Sequence, residues 1–241
     1  MNPPEIRVLP DLKALVDEAA ARIADQAGAA IAEHGAFSIA LAGGSTPKPV
    51  YERLAIEPLR SRIDWSKVHV YFGDERTVPP TSDQSNFHMA QQALLARVPI
   101  PASQVHRMKG ELDPEQAAIE YGKLLKDQFR ESGLDLILLG MGPDGHTASL
   151  FPETAALQET KHRCVANFVP KLNTWRITMT APFINRAKSI CFLISGADKA
   201  ERLKEVLHGP RDPQRLPSQL ISPASGRLTW LVDASSAGKL A

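Results

Sequence analysis

Between residues 11 and 139 the apolar residues of this chain switch repeatedly between the spacing of a helix and the compact run of a buried strand. Residues 11–33 place Leu12, Leu15, Val16, Ala19, Ile23, Ala27, Ala30 and Ile31 three and four apart, one face of an amphipathic helix. Gly35 stands where its C-terminal cap belongs. Residues 37–42 then read as a strand ending at Gly43 and Gly44, 47–55 as a helix and 68–72 as a strand. Helices over 86–96 and 114–130 follow, the second with Asp113 as its N-cap, and 134–139 is again a buried strand. Such alternation predicts right-handed βαβ units, hence an α/β fold with a mainly parallel central sheet flanked by helices. It also restricts where a ligand sits, because open α/β sheets bind in the crevice beyond the carboxyl ends of their strands.

Beyond His146 the pattern loosens. Residues 163–168 and 175–180 read as strands separated by 170–173, which would suit a small antiparallel lobe inserted near 150–180. A buried strand over 189–194, a helix over 198–207, a proline-rich loop over 208–217 and a strand over 228–232 follow, with a frayed tail expected from residue 234. One domain over residues 1–241 is expected. The formal net charge of +1 implies no global attraction to nucleic acid or membrane, so any anion must be held locally. No apolar run approaches the ~18 residues of a membrane span. The N-terminus has no basic stretch followed by an apolar one, so a cytoplasmic location is expected. Cys164 and Cys191 lie in apolar runs and are expected to be reduced and buried.

Three loops leave the carboxyl ends of these strands. In the first, Gly43 and Gly44 permit close backbone approach, and Ser45 and Thr46 offer hydroxyls. Thr46 is the expected N-cap with Pro47 at the first helical position. The loop suits a phosphate at a helix N-terminus, or is simply a tight, well-capped turn; the residues alone leave both open. The second loop carries Asp74, Glu75 and Arg76 on the same edge, as site residues or as a simple solvated turn, with Asn86 expected as the N-cap of the next helix. The third surrounds Asp144 and His146 with Gly140, Gly142, Pro143 and Gly145. A carboxylate two residues from an imidazole can fix its tautomer and raise its basicity. Lys199, after the strand over 189–194, is unfavourably placed for the dipole of its helix, so its charge is either wanted elsewhere or simply faces solvent; the residues leave both open. The other histidines are expected to be structural.

Three blocks in this order, 41–47 (LAGGSTP), 73–79 (GDERTVP) with Ser85 and Asn86, and 139–152 (LGMGPDGHTASLFP), resemble the 6-phosphogluconolactonase family of the pentose phosphate pathway. The resemblance extends over nearly the whole chain and reaches, more distantly, the glucosamine-6-phosphate deaminases. It implies a Rossmann-like three-layer fold, no metal or organic cofactor, and hydrolysis of 6-phospho-D-glucono-1,5-lactone to 6-phosphogluconate. The deaminases tend to follow their Asp-Gly-His with Ile-Ala-Phe-Asn-Glu; here the residues are 147–151 (TASLF), and Glu153 is displaced by one residue and follows Pro152. That departure favours the lactonase.

With no nucleophile elbow and no metal-ligand spacing in the sequence, general-base attack by water is the simplest chemistry. His146 is the expected base and Asp144 its orienting partner, while Asp74 either binds substrate hydroxyls or assists His146. Gly43, Gly44, Ser45, Thr46 and Lys199 are expected to anchor the phosphate, Arg76 and Arg176 to contact phosphate or carboxylate, and the loop of Gly142 and Gly145 to supply oxyanion donors. The expected partner is one small sugar phosphate, with no nucleic acid and no membrane, bound by a monomer or weak homo-oligomer. Two rival readings are an amino-sugar-phosphate deaminase and a sugar-phosphate sensor without turnover; the chain has no appended helix-turn-helix or basic face to support the sensor.

Overall fold

The computed structural model describes residues 3–240. Its main sheet is formed by β1 (Glu5–Leu9), β2 (Phe37–Leu41), β3 (Val68–Phe72), β5 (Leu136–Leu139), β8 (Ser189–Ile194) and β9 (Arg227–Asp233) in the order β1-β9-β8-β5-β2-β3. Every pairing in it is parallel. A second, antiparallel sheet of β4 (Asp74–Arg76), β7 (Thr174–Met179) and β6 (Cys164–Val169) is the expected small lobe, with the order β4-β7-β6.

Strand alternation produces the three layers. Side chains Ile39, Leu41, Leu136, Leu138, Cys191 and Leu193 point into a core shared with α1 (Leu12–His34), α2 (Pro47–Leu54) and the short α3 (Leu59–Arg62). Their neighbours Ala40, Ile137, Leu139, Ile190, Phe192 and Ile194 fill the opposite core. There they pack with α5 (Pro114–Phe129), α6 (Ala181–Ile184) and α7 (Ala200–His208). These strands are buried on both faces, which is why they read as continuous apolar runs. Both cysteines are free and buried, and burial pushes the Cys191 thiol up to about 12.

Local chemistry sets the helix limits. Asp11 caps α1 by accepting from Ala14 N at 2.8 Å, and Gly35 closes it in the left-handed region at φ 86°. Asp113 caps α5 through Glu115 N and Gln116 N, as expected. Two expected caps differ. Thr46 has helical backbone angles and makes no capping bond with its side chain. Ser85, not Asn86, caps α4 (Asn86–Ala90), accepting from His88 N at 3.1 Å and freeing the Asn86 side chain for other work. The expected helix over 86–96 continues beyond α4 but widens over Gln91–Leu95, where Ala96 N donates to Gln91 O.

Two further departures lie at the chain ends. β1 escapes the sequence pattern because only Leu9 of its five residues is buried; it is an edge strand on β9. The C-terminal segment is not frayed over 234–240: it forms turns, Ser236 is buried, and its amide donates to Asp233 Oδ1 at 2.8 Å.

The chain runs from β2 outward to β3, then returns to place β5 on the other side of β2 and continues to β8. β2 and β5 therefore flank the topological switch point, where the loops after neighbouring strands diverge and a crevice opens.

Candidate active site

A cavity of about 220 Å³ occupies that crevice. Its wall includes Gly43, Gly44, Ser45 and Thr46 after β2, Asp74 and Arg76 beyond β3, Gly140, Gly142 and His146 after β5, and Lys199 beyond β8. Four separate loops expected to carry chemistry thus meet in one place. Gly145 and Arg176 are outside this wall, and Asp144 contributes through His146.

The first loop is held from beneath by Tyr51. Its buried hydroxyl accepts from Ala42 N at 2.9 Å and donates to Ala42 O at 2.8 Å, satisfying the backbone where β2 leaves the sheet. Gly44 adopts φ 103°, open to glycine at little cost. Gly43 is required for a different reason: a Cβ there would lie 1.9 Å from Asn86 Oδ1. The space so left admits the Asn86 amide, which donates to Asp74 O at 2.9 Å and Asp74 Oδ1 at 3.1 Å. The other Asp74 oxygen accepts from Ser149 Oγ at 2.6 Å. Asp74, 8% exposed, therefore ties the second loop to the third and holds the Asn86 side chain that packs against Gly43 of the first.

Glu75 has no place in the cavity wall, yet it organises it. Its carboxylate accepts from the amides of Arg76, Asn86 and Phe87 and from Ser85 Oγ, at 2.7–3.0 Å. A carboxylate at the start of α4 answers the free donors of that helix end. Burial pushes the Glu75 carboxyl above its ordinary value, against the pull of those four donors.

Arg76 and Arg176 are direct neighbours in the β4–β7 pair. Arg76 donates to Gln84 O at 2.5 Å and Arg176 to Trp175 O at 3.3 Å. Neither guanidinium has a carboxylate within 4 Å among the described residues. Burial and the charge of Arg76 lower the pKa of Arg176. Like charges directly opposite in a sheet are destabilising, so a bound anion would relieve this pair. Lys199 lines the cavity and forms an ion pair with the neighbouring Asp198 at 3.0 Å, so part of its charge is answered locally.

The third loop holds its imidazole on several sides. His146 Nδ1 lies 2.5 Å from Asp144 Oδ1, and the ring stacks on Phe151 with centroids 4.0 Å apart. An ionised carboxylate can only accept, so Nδ1 carries the proton and Nε2 is the basic nitrogen. Burial works against the Asp144 charge, but His146 and Lys171 outweigh it and hold the carboxyl well below the usual carboxylate range. Gly142 makes room for the ring: a Cβ on it would lie 2.1 Å from His146 Cε1 and Nδ1.

The amides of Gly142 and Gly145 donate to His146 O and Gly142 O, so they brace the loop and are not free oxyanion donors. Outside it, Ser218 donates to Gly145 O through both its amide and its hydroxyl, and Arg202 Nε donates to Pro143 O. Asn167 Nδ2 donates to Ser149 O, while Thr178 Oγ1 accepts from Ser149 N, which docks the β6–β7 hairpin onto the loop. The sequence reading assigned no part to Tyr51, Ser149, Phe151, Lys171, Arg202 or Ser218. Ser149 and Phe151 lie within the 139–152 block and Tyr51 in the helix after the first loop; Lys171, Arg202 and Ser218 act from segments distant in sequence.

A parallel α/β sheet with a glycine-hydroxyl loop, unanswered guanidinium charge and a carboxylate-held imidazole at its switch point belongs to the class of small-anion α/β proteins equipped for acid–base chemistry. The chain is a member of the glucosamine-6-phosphate isomerases/6-phosphogluconolactonase family, whose model matches residues 10–230. It is 42% identical over 242 residues to a 6-phosphogluconolactonase of Nostoc, covering 98% of each chain. It is 36% identical to the enzyme of that name from Haemophilus influenzae, covering 82% of this chain and 85% of that one. Among solved structures, 6-phosphogluconolactonase from Thermotoga maritima superposes with a TM-score of 0.84 at 31% identity, covering 96% of this chain and all of the other. A monomeric glucosamine-6-phosphate deaminase also superposes, with a TM-score of 0.83 at 21% identity over 98% of this chain and 99% of its own. The fold is thus common to two chemistries.

Proposed function

We propose that the whole chain acts as one catalytic unit that hydrolyses 6-phospho-D-glucono-1,5-lactone to 6-phospho-D-gluconate in the oxidative pentose phosphate pathway, in the cytosol, as a monomer or weak homo-oligomer. The observation that carries the reading is the carboxylate-held imidazole facing the same cavity as the Gly43–Gly44 loop, within a family that includes the lactonases. Absence of the deaminase-type glutamate after the His146 loop favours hydrolysis over deamination.

In this mechanism His146 Nε2 removes a proton from water as its oxygen bonds to C1. The tetrahedral intermediate collapses by breaking the bond from C1 to the ring oxygen. His146 returns the proton to that oxygen, and the new carboxylic acid ionises. Asp144 stabilises the imidazolium between the two transfers. Asp74 has both oxygens engaged by Asn86 and Ser149, which favours holding the loops and presenting an acceptor to substrate hydroxyls over acting as a second base. Ser45, Thr46, Lys199 and the Gly43–Gly44 backbone anchor the phosphate, with Arg76 and its neighbour Arg176 providing the surrounding positive charge. No metal is needed for any of these steps.

The test is to measure 6-phosphogluconate release from freshly generated lactone against a buffer blank, with ammonia release from glucosamine 6-phosphate in parallel. Turnover of the lactone alone is expected. A lactone rate equal to the blank would overturn the proposal, and ammonia release would replace it with the deaminase.

A further inference from the structure

The tip of the β6–β7 hairpin, a tight turn over Pro170–Leu172 closed by Asn173 at φ 46°, brings Lys171 to the active-site loop. Its Nζ lies 3.2 Å from Asp144 Oδ2, the oxygen not used by His146. Because Asn167 and Thr178 dock the same hairpin on Ser149, Lys171 does not reach across from an independent loop; its starting point is set relative to Asp144. We propose that Lys171 is a positioning residue: it holds the outer oxygen of Asp144 so that the inner oxygen fixes His146 with Nε2 as the basic nitrogen. The catalytic part of this inference rests on the lactonase reading; the geometric part does not.

The other charged groups near the pair are Asp74 and Arg76 from β4 and Lys199 before α7, which line the cavity, Arg176 beside Arg76, and Arg202 from α7, which donates to Pro143 O. Beyond His146, only Lys171 touches the Asp144 carboxylate among the described residues. The Lys171 side chain is 67% exposed, so replacing it does not threaten the fold.

The experiment is ring-nitrogen NMR of neutral His146 in wild type, Lys171→Met and Lys171→Arg, which reads how the proton is shared between Nδ1 and Nε2. Wild type should hold it on Nδ1. Lys171→Met should move part of the population to Nε2, and kcat for lactone hydrolysis should fall by about two- to fivefold with KM little changed. Lys171→Arg should restore both. A Lys171→Met ring that keeps the wild-type proton placement would overturn the proposal. If wild type does not hydrolyse lactone above the blank, the lactonase reading fails, while the ring spectrum still decides the role of Lys171.

Discussion

Gly142→Ala removes no chemical group, yet it is expected to disable the site. Gly142 does not occupy the left-handed region, so its backbone accepts alanine; the conflict is with the His146 ring, 2.1 Å from the new Cβ. The new Cβ is fixed by the backbone, so the ring has to yield. In moving it gives up the hydrogen bond from its Nδ1 to Asp144 Oδ1 and the stack on Phe151. A bond to a charged group contributes about 1.5–3 kcal/mol and an aromatic stack about 0.5–1.5 kcal/mol, but a ring that turns to water recovers part of this. A stability loss of about 2 kcal/mol is expected. Activity should fall further, because a positioned base contributes about 10²–10⁴-fold and a displaced base contributes little. The assay is kcat/KM for freshly generated lactone, corrected for spontaneous hydrolysis, with denaturant unfolding in parallel. If both changes act through the imidazole, Gly142→Ala in a His146→Ala background should cost less than about threefold more. Gly142→Ala with kcat/KM within about threefold of wild type would refute the argument that the glycine exists to seat the ring.

Two further predictions concern the scaffold. Gly43→Ala should expel the Asn86 side chain and break its two bonds to Asp74, at a cost of about 2 kcal/mol in denaturant unfolding; most of that cost should disappear when measured in an Asn86→Ala background. Asp233 opposes the cost of its own burial by accepting from Ser195, Ser236 and Ser235, so its carboxyl lies at about 2, below its ordinary 3.8. Its contribution is therefore complete above about pH 4 and disappears as pH falls through about 2. Asp233→Asn should lose about 2 kcal/mol at pH 7, and the difference from wild type should shrink in unfolding curves between about pH 4 and pH 2.

What the sequence disclosed and concealed has a common physical basis. The strands β2, β3, β5 and β8 are buried on both faces, so their apolar runs announce them; β1, exposed along most of its length, carries no such signal and is defined by β9, more than two hundred residues away. The Gly43, Asp74 and His146 loops were visible because parallel strands gather their carboxyl-end loops on one edge. Which partner each side chain takes was not. Asn86 looked like a helix cap until Ser85 took that position, and Asp74 received its partners from α4 and the His146 loop. Lys171, in a hairpin turn of unremarkable composition, acquired its contact with Asp144 only when the small sheet docked. Gly43 was read as allowing close backbone approach and Gly142 as part of an oxyanion loop, whereas the structure shows both leaving room for particular side chains.

The central claim is that His146 is the base in lactone hydrolysis. The direct test is the blank-corrected rate of 6-phosphogluconate formation by His146→Ala beside wild type, with the mutant first shown to be folded. A fall of at least about 10²-fold is expected. A folded mutant that retains wild-type turnover would contradict the mechanism and require another group in the cavity to activate water.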